Sequence, residues 1–150
     1  MKLTEEIKNK FNQKVDIFEK SEQRIFVNVA KEDVKEVVRF LYQDLGARFS
    51  IASGIDTPIG VEMLYHMAFD RLGVIVSVRV LVEKPDLTID SFTSFMPATE
   101  WIERELHEML GVNFPGHPGL KRLLLPDDWP EGVYPFRKKT YESEKEVEER

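Results

Sequence analysis

The sequence predicts an α+β domain of two layers: a mixed five-stranded sheet with two helices on one face, followed by a further helix and an extended C-terminal arm. Three observations carry that prediction. Five runs rich in β-branched and aromatic residues alternate at period two. The period changes to 3.6 at Lys31 and again after Pro97. The order helix, strand, strand, helix, strand, strand, strand fits a layer pair. A chain of 150 residues is long enough for one domain with its own core, since about 68–70% of the unfolded surface is removed from water at this size.

Each element has a local reason. Thr4 is placed to cap a first helix that carries Glu5 and Glu6 in its opening turn and Ile7 and Phe11 on its inner face. Val15, Ile17 and residues 24–30 predict a hairpin around a polar turn at 20–23. Val34, Val37, Val38, Leu41 and Leu45 then fall at i, i+3, i+4, i+7 and i+11, a helix that Gly46 closes as a left-handed cap. Strand runs over 48–53, 61–70 and 74–83 follow, separated by turn signals at 54–60 and 72–73. In the last run Val74, Val76, Val78, Val80 and Val82 share one face, with Ser77, Arg79 and Glu83 on the other. Pro85 ends the sheet region, and Pro97 opens a helix that stops at Gly111. Residues 1–96 read as the α/β domain, 97–140 as a helix and an extended partner-binding arm that is not an independent domain, and 141–150 as a charged tail, solvated or forming a short frayed helix.

Composition excludes several function classes. The absence of cysteine removes iron–sulfur clusters, Cys-type zinc sites, disulfides and thiol nucleophiles. A net charge of -6 argues against a free nucleic-acid binder, whose affinity comes from neutralising phosphates. No run reaches the roughly 18–20 apolar residues of a membrane span, and the first ten residues carry charges where a signal peptide is apolar. The expectation is a soluble, cytoplasmic chain without a span of its own. A charged fraction of 32%, rich in Lys and Glu, is compatible with a thermophilic source.

Residues 111–140 hold five prolines and four glycines, little periodicity, and yet many large apolar side chains, including Phe114, Leu120, Trp129, Tyr134 and Phe136. Disordered linkers lack such residues. The segment carries 5 basic and 3 acidic side chains, against 2 and 5 in residues 141–150. An irregular, apolar, basic arm either wraps its own domain or runs over a partner, and the extended length of thirty residues, about 100 Å, allows the second.

Catalytic candidates are sparse. His107-Glu108 begins like a zinc-protease helix motif, but position 111 is Gly where a second His is needed. His66 falls in an alternating strand and His117 in a Gly-His-Pro turn. Glu100, Glu103, Glu105 and Glu108 are dense enough to supply an acid and a base, although Glu100 with Arg104 and Arg104 with Glu108 read more simply as i, i+4 pairs on an exposed helix. No phosphate-binding glycine loop is present. The run Arg137-Lys138-Lys139 beside Tyr134-Pro135-Phe136 fits the charged rim of a protein interface better than a membrane anchor.

The run Glu103, Arg104, Glu105, Glu108, Met109, Leu110, His117, Lys121, Leu123 and Leu124, at those spacings, resembles the signature of the 30 kDa subunit family of respiratory complex I (NADH dehydrogenase). The flanking text is similar too: Ala98 to Trp101, Gly111 to Phe114, Gly116-His117-Pro118, Pro126 to Trp129 and Pro135 to Lys138. The resemblance implies a non-catalytic peripheral-arm subunit that binds no cofactor, docks on a large catalytic (nickel–iron or 49 kDa-like) subunit beside an iron–sulfur subunit, and lies on the cytoplasmic side of the membrane. Nickel–iron or iron–sulfur centres are then expected in the partners. Glu108, where the family often has Asp, the Tyr134-to-Lys139 text and the short chain make the likeness stronger to a membrane-bound, ion-pumping nickel–iron hydrogenase than to a quinone-reducing complex; a sulfur-reducing or formate-linked complex remains open. On this reading Trp101, Phe114, Trp129 and Phe136 are interface anchors, His117 contributes to recognition, and Arg104, Arg122, Arg137 and Lys138 pair with partner oxygens. The competing reading is a stand-alone hydrolase or lyase in which Glu105, Glu108 and His117 converge on one pocket.

Overall fold

The structure, a computed structural model, describes residues 2–138. Helix α1 (Leu3–Phe11) leads into β1 (Val15–Ser21) and β2 (Arg24–Val29), then α2 (Lys31–Arg39), β3 (Arg48–Asp56), β4 (Gly60–Phe69), β5 (Val74–Glu83) and α3 (Glu100–Leu110). The strands form one sheet in the order β1-β2-β5-β4-β3. Pairings are antiparallel except β2 with β5, which are parallel, so the sheet is mixed as the element order predicts.

Period-two alternation fixes which face is dry. Val76, Val78, Val80 and Val82 of β5, Val27 of β2 and Met63, Tyr65 and Met67 of β4 all lie at 0–1% exposure. Ile7 and Phe11 of α1, Val34, Val37 and Val38 of α2, and Leu106 and Leu110 of α3 share that one core. The opposite face is more open and carries short polar contacts, although Leu64 and Ala68 of β4 are buried on it too. There His66 bridges two strands, with its ring nitrogens 2.7 Å from Ser77 Oγ and 3.1 Å from Ser53 Oγ, and burial together with the charge of Arg24 holds its pKa down. Ser77 is buried despite its outward position because the imidazole covers it.

Some boundaries differ from the sequence expectation, each for a physical reason. Thr4 is inside α1 and buried, and the helix starts without a side-chain cap after Lys2. The second helix keeps its apolar stripe as far as Leu41 but ends in a π-helical turn over Phe40–Asp44 before Gly46. Strand β3 runs through Gly54 to Asp56, leaving a tight turn at residues 57–59 where Thr57 Oγ1 donates to the Gly60 carbonyl. After β5 the chain passes back under the sheet, and residues 87–91 bond alternately to residues 113–115: Asn113 N–H to Leu87 O, Ile89 N–H to Asn113 O and Ser91 N–H to Pro115 O. The start of the arm is thereby tied to the domain.

Gly60 opens β4 opposite Glu83, where the backbone of β5 leaves no room for a side chain. A Cβ there would clash with the Val82 carbonyl and lie 2.9 Å from Glu83 Cα, both backbone atoms that cannot swing aside. We therefore expect Gly60→Ala to destabilise the chain by about 1–3 kcal/mol, measured by chemical denaturation.

Candidate functional site

The signature residues gather where α3 meets the arm. An irregular segment has no ladder to satisfy its backbone, so other groups must do so. Side chains of α3 take that role. The Arg104 guanidinium donates to the carbonyls of Lys121 (3.0 Å) and Arg122 (2.6 Å). One turn further along, the Glu108 carboxylate accepts the N–H groups of Leu123 (3.0 Å), Leu124 (2.6 Å) and, more distantly, Leu125 (3.4 Å). A cation meets the carbonyls and an anion meets the N–H groups of the same five-residue stretch.

The helix ends are held in the same way. His117 donates from Nε2 to the Glu100 carbonyl (2.8 Å) and accepts the Gly119 N–H at Nδ1 (3.0 Å), its side chain only 1% exposed. At the other end the last helical carbonyls lack intrahelical partners. Phe136 N–H bonds to Met109 O (3.0 Å) and Arg137 Nε to Leu110 O (2.7 Å). Gly111 follows with φ 79, a left-handed cap; a Cβ there would lie 2.8 Å from Tyr134, so the arm's return also requires glycine. Arg122 closes the loop between, reaching the carbonyls of Pro126 and Trp129, while Trp129 Nε1 donates to Val133 O.

On the inner face, Glu103 is 0% exposed and accepts Ser91 Oγ–H and Phe92 N–H, each at 2.7 Å. Burial pushes its pKa up, and these hydrogen bonds together with the His117 ring 3.9 Å away oppose that only in part. The same burial, with the charge of Glu103 added, raises the Tyr65 hydroxyl, which has no hydrogen-bond partner among the described residues. Asp56, which sequence reading passed over, is 3% exposed at the end of β3. It pairs with Lys84 Nζ at 2.7 Å and accepts the Lys138 N–H at 2.8 Å. Burial alone would raise its pKa, and these partners bring it below the usual aspartate value.

Several sequence expectations change. The i, i+4 pairs of Arg104 are replaced by arm backbone, and α3 is no exposed helix, since Glu103, Glu108, Leu106, Met109 and Leu110 are buried. Phe114 is 2% exposed in the chain's own core and offers no surface to a partner. Arg104, Arg122 and Arg137 are bonded to oxygens of their own chain. Through residue 138 the arm wraps its own domain rather than running beyond it; Lys139 and the tail at 141–150 lie outside the described residues. The hydrolase reading fails because its groups do not converge. A cavity of about 460 Å³ between α3 and the arm is lined by His107, Glu108, Arg122, Trp129 and Tyr134, but by neither Glu105 nor His117, and Glu108 is already bonded to arm backbone through both oxygens. Trp101, Leu124 and Phe136 do project outward, at 67%, 60% and 59% exposure, while Lys121 and Lys138 are also exposed, and Leu123, Glu105 and Trp129 are half-buried.

Residues 27–146 match the family described as respiratory-chain NADH dehydrogenase, 30 Kd subunit. The chain belongs to that family. It is 35% identical over 121 residues to the membrane-bound hydrogenase subunit beta of Pyrococcus furiosus, covering 77% of this chain and 69% of that protein. It is 37% identical over 124 residues to a subunit of the NADH-quinone oxidoreductase of Salinispora tropica, covering 75% of this chain but only 48% of that protein, so it spans about half the length of such relatives. A chain in the structure of the membrane-bound sulfane sulfur reductase, an archaeal respiratory membrane complex, superposes with a TM-score of 0.83 at 22% identity, covering 95% of this chain and 88% of that one, which shows a shared fold. In this member of the 30 Kd family the described residues hold no group of three His, Cys, Asp or Glu side chains able to bind a metal, and no helix long and apolar enough to cross a membrane.

The raised pKa of Glu103 gives a signed prediction. The folded chain holds that proton more tightly than the unfolded chain, so this residue's contribution to stability is present below the ordinary value of 4.5 and declines as pH rises through the interval above it. Urea denaturation across that interval should show a slope that Glu103→Gln reduces. Glu103→Ala, which strands the Ser91 and Phe92 donors in the core, should cost about 2–4 kcal/mol.

Proposed function

We propose that the chain is a non-catalytic peripheral-arm subunit of a complex I-like, ion-pumping, membrane-bound oxidoreductase, in first place a nickel–iron hydrogenase, and that it docks on and stabilises the large catalytic subunit. The observation that carries this reading is the surface built by α3 and its arm. Trp101 stands in the first turn of α3, Leu124 is fixed over the third turn by Glu108, and Phe136 is fixed beyond the last turn by Met109. Three large apolar side chains are thus presented along a helix about 16 Å long, Trp101 from the helix itself and Leu124 and Phe136 from arm backbone that hydrogen bonds hold against it. Nothing in that arrangement assembles a nucleophile, a base and an orienting group, which favours binding over catalysis.

The hydrogenase version draws support from the similarity to the Pyrococcus furiosus protein, of which this chain covers 69%. The similarity to the Salinispora tropica protein favours a second reading, the equivalent subunit of an NADH- or other quinone-linked complex, and the sulfane sulfur reductase shares the fold. In every version the nickel–iron or iron–sulfur centres belong to the large subunit and a neighbouring iron–sulfur subunit, and the chain is held at the cytoplasmic side of the membrane by the complex.

Purification of the native complex followed by mass spectrometry and metal analysis separates these readings. We expect the chain in stoichiometric association with a large subunit and with nickel; a complex with quinone reductase activity and no nickel selects the second reading. Trp101→Ala and Phe136→Ala should each weaken association by roughly thirtyfold, the effect of losing about 2 kcal/mol at an aromatic hot spot, without lowering the melting temperature of the isolated chain. Unchanged association in both variants would move the docking surface elsewhere.

A further inference from the structure

The sheet has two edges, β1 and β3, and they are unlike. An edge strand directs every second N–H and C=O away from its neighbour, a template for pairing that proteins usually blunt with charge. Strand β1 is blunted, carrying Asp16, Glu19 and Lys20 in seven residues. Strand β3 is not. Residues 49–55, Phe-Ser-Ile-Ala-Ser-Gly-Ile, carry no charge, and no hydrogen bond from outside the sheet reaches their backbone among the described residues.

We propose that β3 is a strand-addition site that takes an extended, uncharged segment of a neighbouring polypeptide as a sixth strand. The window is bounded at both ends by ion pairs, Arg48 with Asp70 at 2.8 Å and Asp56 with Lys84 at 2.7 Å. Between them lie seven residues, about 23 Å of strand. Ile51 and Ile55, 52% and 50% exposed, flank Ser53 on the outer side, so the incoming strand best places aliphatic residues at alternate positions there. A partner fits this edge better than the chain's own terminus, because residues 139–150 carry eight charged side chains in twelve. The edge is also continuous with the docking surface proposed above, since the Lys138 N–H of the arm bonds to Asp56 at the end of β3. The inference rests on that proposal in requiring an assembled complex.

Amide hydrogen exchange, compared between the isolated full chain and the chain in its purified complex, tests it. The outward amides of residues 49–55 should exchange freely in isolation and slow by roughly a hundredfold on assembly, while those of β1 stay unchanged. Ile51→Lys should lower recovery of the complex about tenfold while the isolated chain melts within a few degrees of the unaltered one. A complex that contains the chain but leaves these amides fast overturns the edge proposal alone, whereas failure to find any complex overturns the subunit reading with it. Protection already present in the isolated chain also overturns it: loss of that protection on deleting residues 139–150 assigns the edge to the chain's own terminus, and a rise with chain concentration assigns it to a second copy.

Discussion

The rest of the structure around α3 depends on one exchange of hydrogen bonds: Arg104 takes two arm carbonyls and Glu108 takes the arm N–H groups that follow them. A segment with five prolines and four glycines forms no helix, and beyond the short pairing at residues 113–115 it has no ladder to satisfy its backbone among the described residues. Two charged side chains one helical turn apart provide the substitute. Glu108 lies near the C-terminal end of α3, where the helix dipole disfavours an anion, and three N–H groups offset that disadvantage. Hydrogen bonds to a charged group contribute about 1.5–3 kcal/mol each, and removing the carboxylate would leave several partly buried donors without a partner.

Placed around this exchange, the other signature residues have separate mechanical tasks. His117 fixes the arm to the first turn of α3, and the return through residues 136 and 137 fixes it to the last. Glu103 reaches the opposite way, into the core, and holds the segment at Ser91 and Phe92 against the helix. A signature dense in ionisable residues is therefore a fastening between helix, arm and domain. What it leaves for a partner is the set of apolar side chains that the fastening presents outward, Trp101, Leu124 and Phe136.

The fold was legible in the sequence wherever periodicity is long. The five valines at alternate positions of β5 and the stripe from Val34 to Leu41 sit as their spacing requires, and the five-stranded mixed sheet follows from their order. Ends were less legible, because Thr4 and Gly54 carry local signals that packing overrode. At the site, spacing alone made Arg104 and Glu108 a helical ion pair, since the competing partner is backbone about fifteen residues away and carries no side-chain signal. Glu103 offered a clue: it shares the stripe of Leu106 and Leu110, and a carboxylate at a core position implies donors waiting for it. Asp56 offered none, because both its partners, Lys84 and the Lys138 N–H, are remote in sequence.

Fastening of the arm by the signature residues within the chain itself can be measured by hydrogen exchange at the amides of Leu123 and Leu124 in the isolated protein and in Glu108→Ala. These two amides should be protected in the unaltered chain without any partner present, and should exchange freely in the variant while the β4 and β5 amides remain slow. Free exchange at Leu123 and Leu124 in the unaltered isolated chain would mean that Glu108 does not hold the arm without a partner.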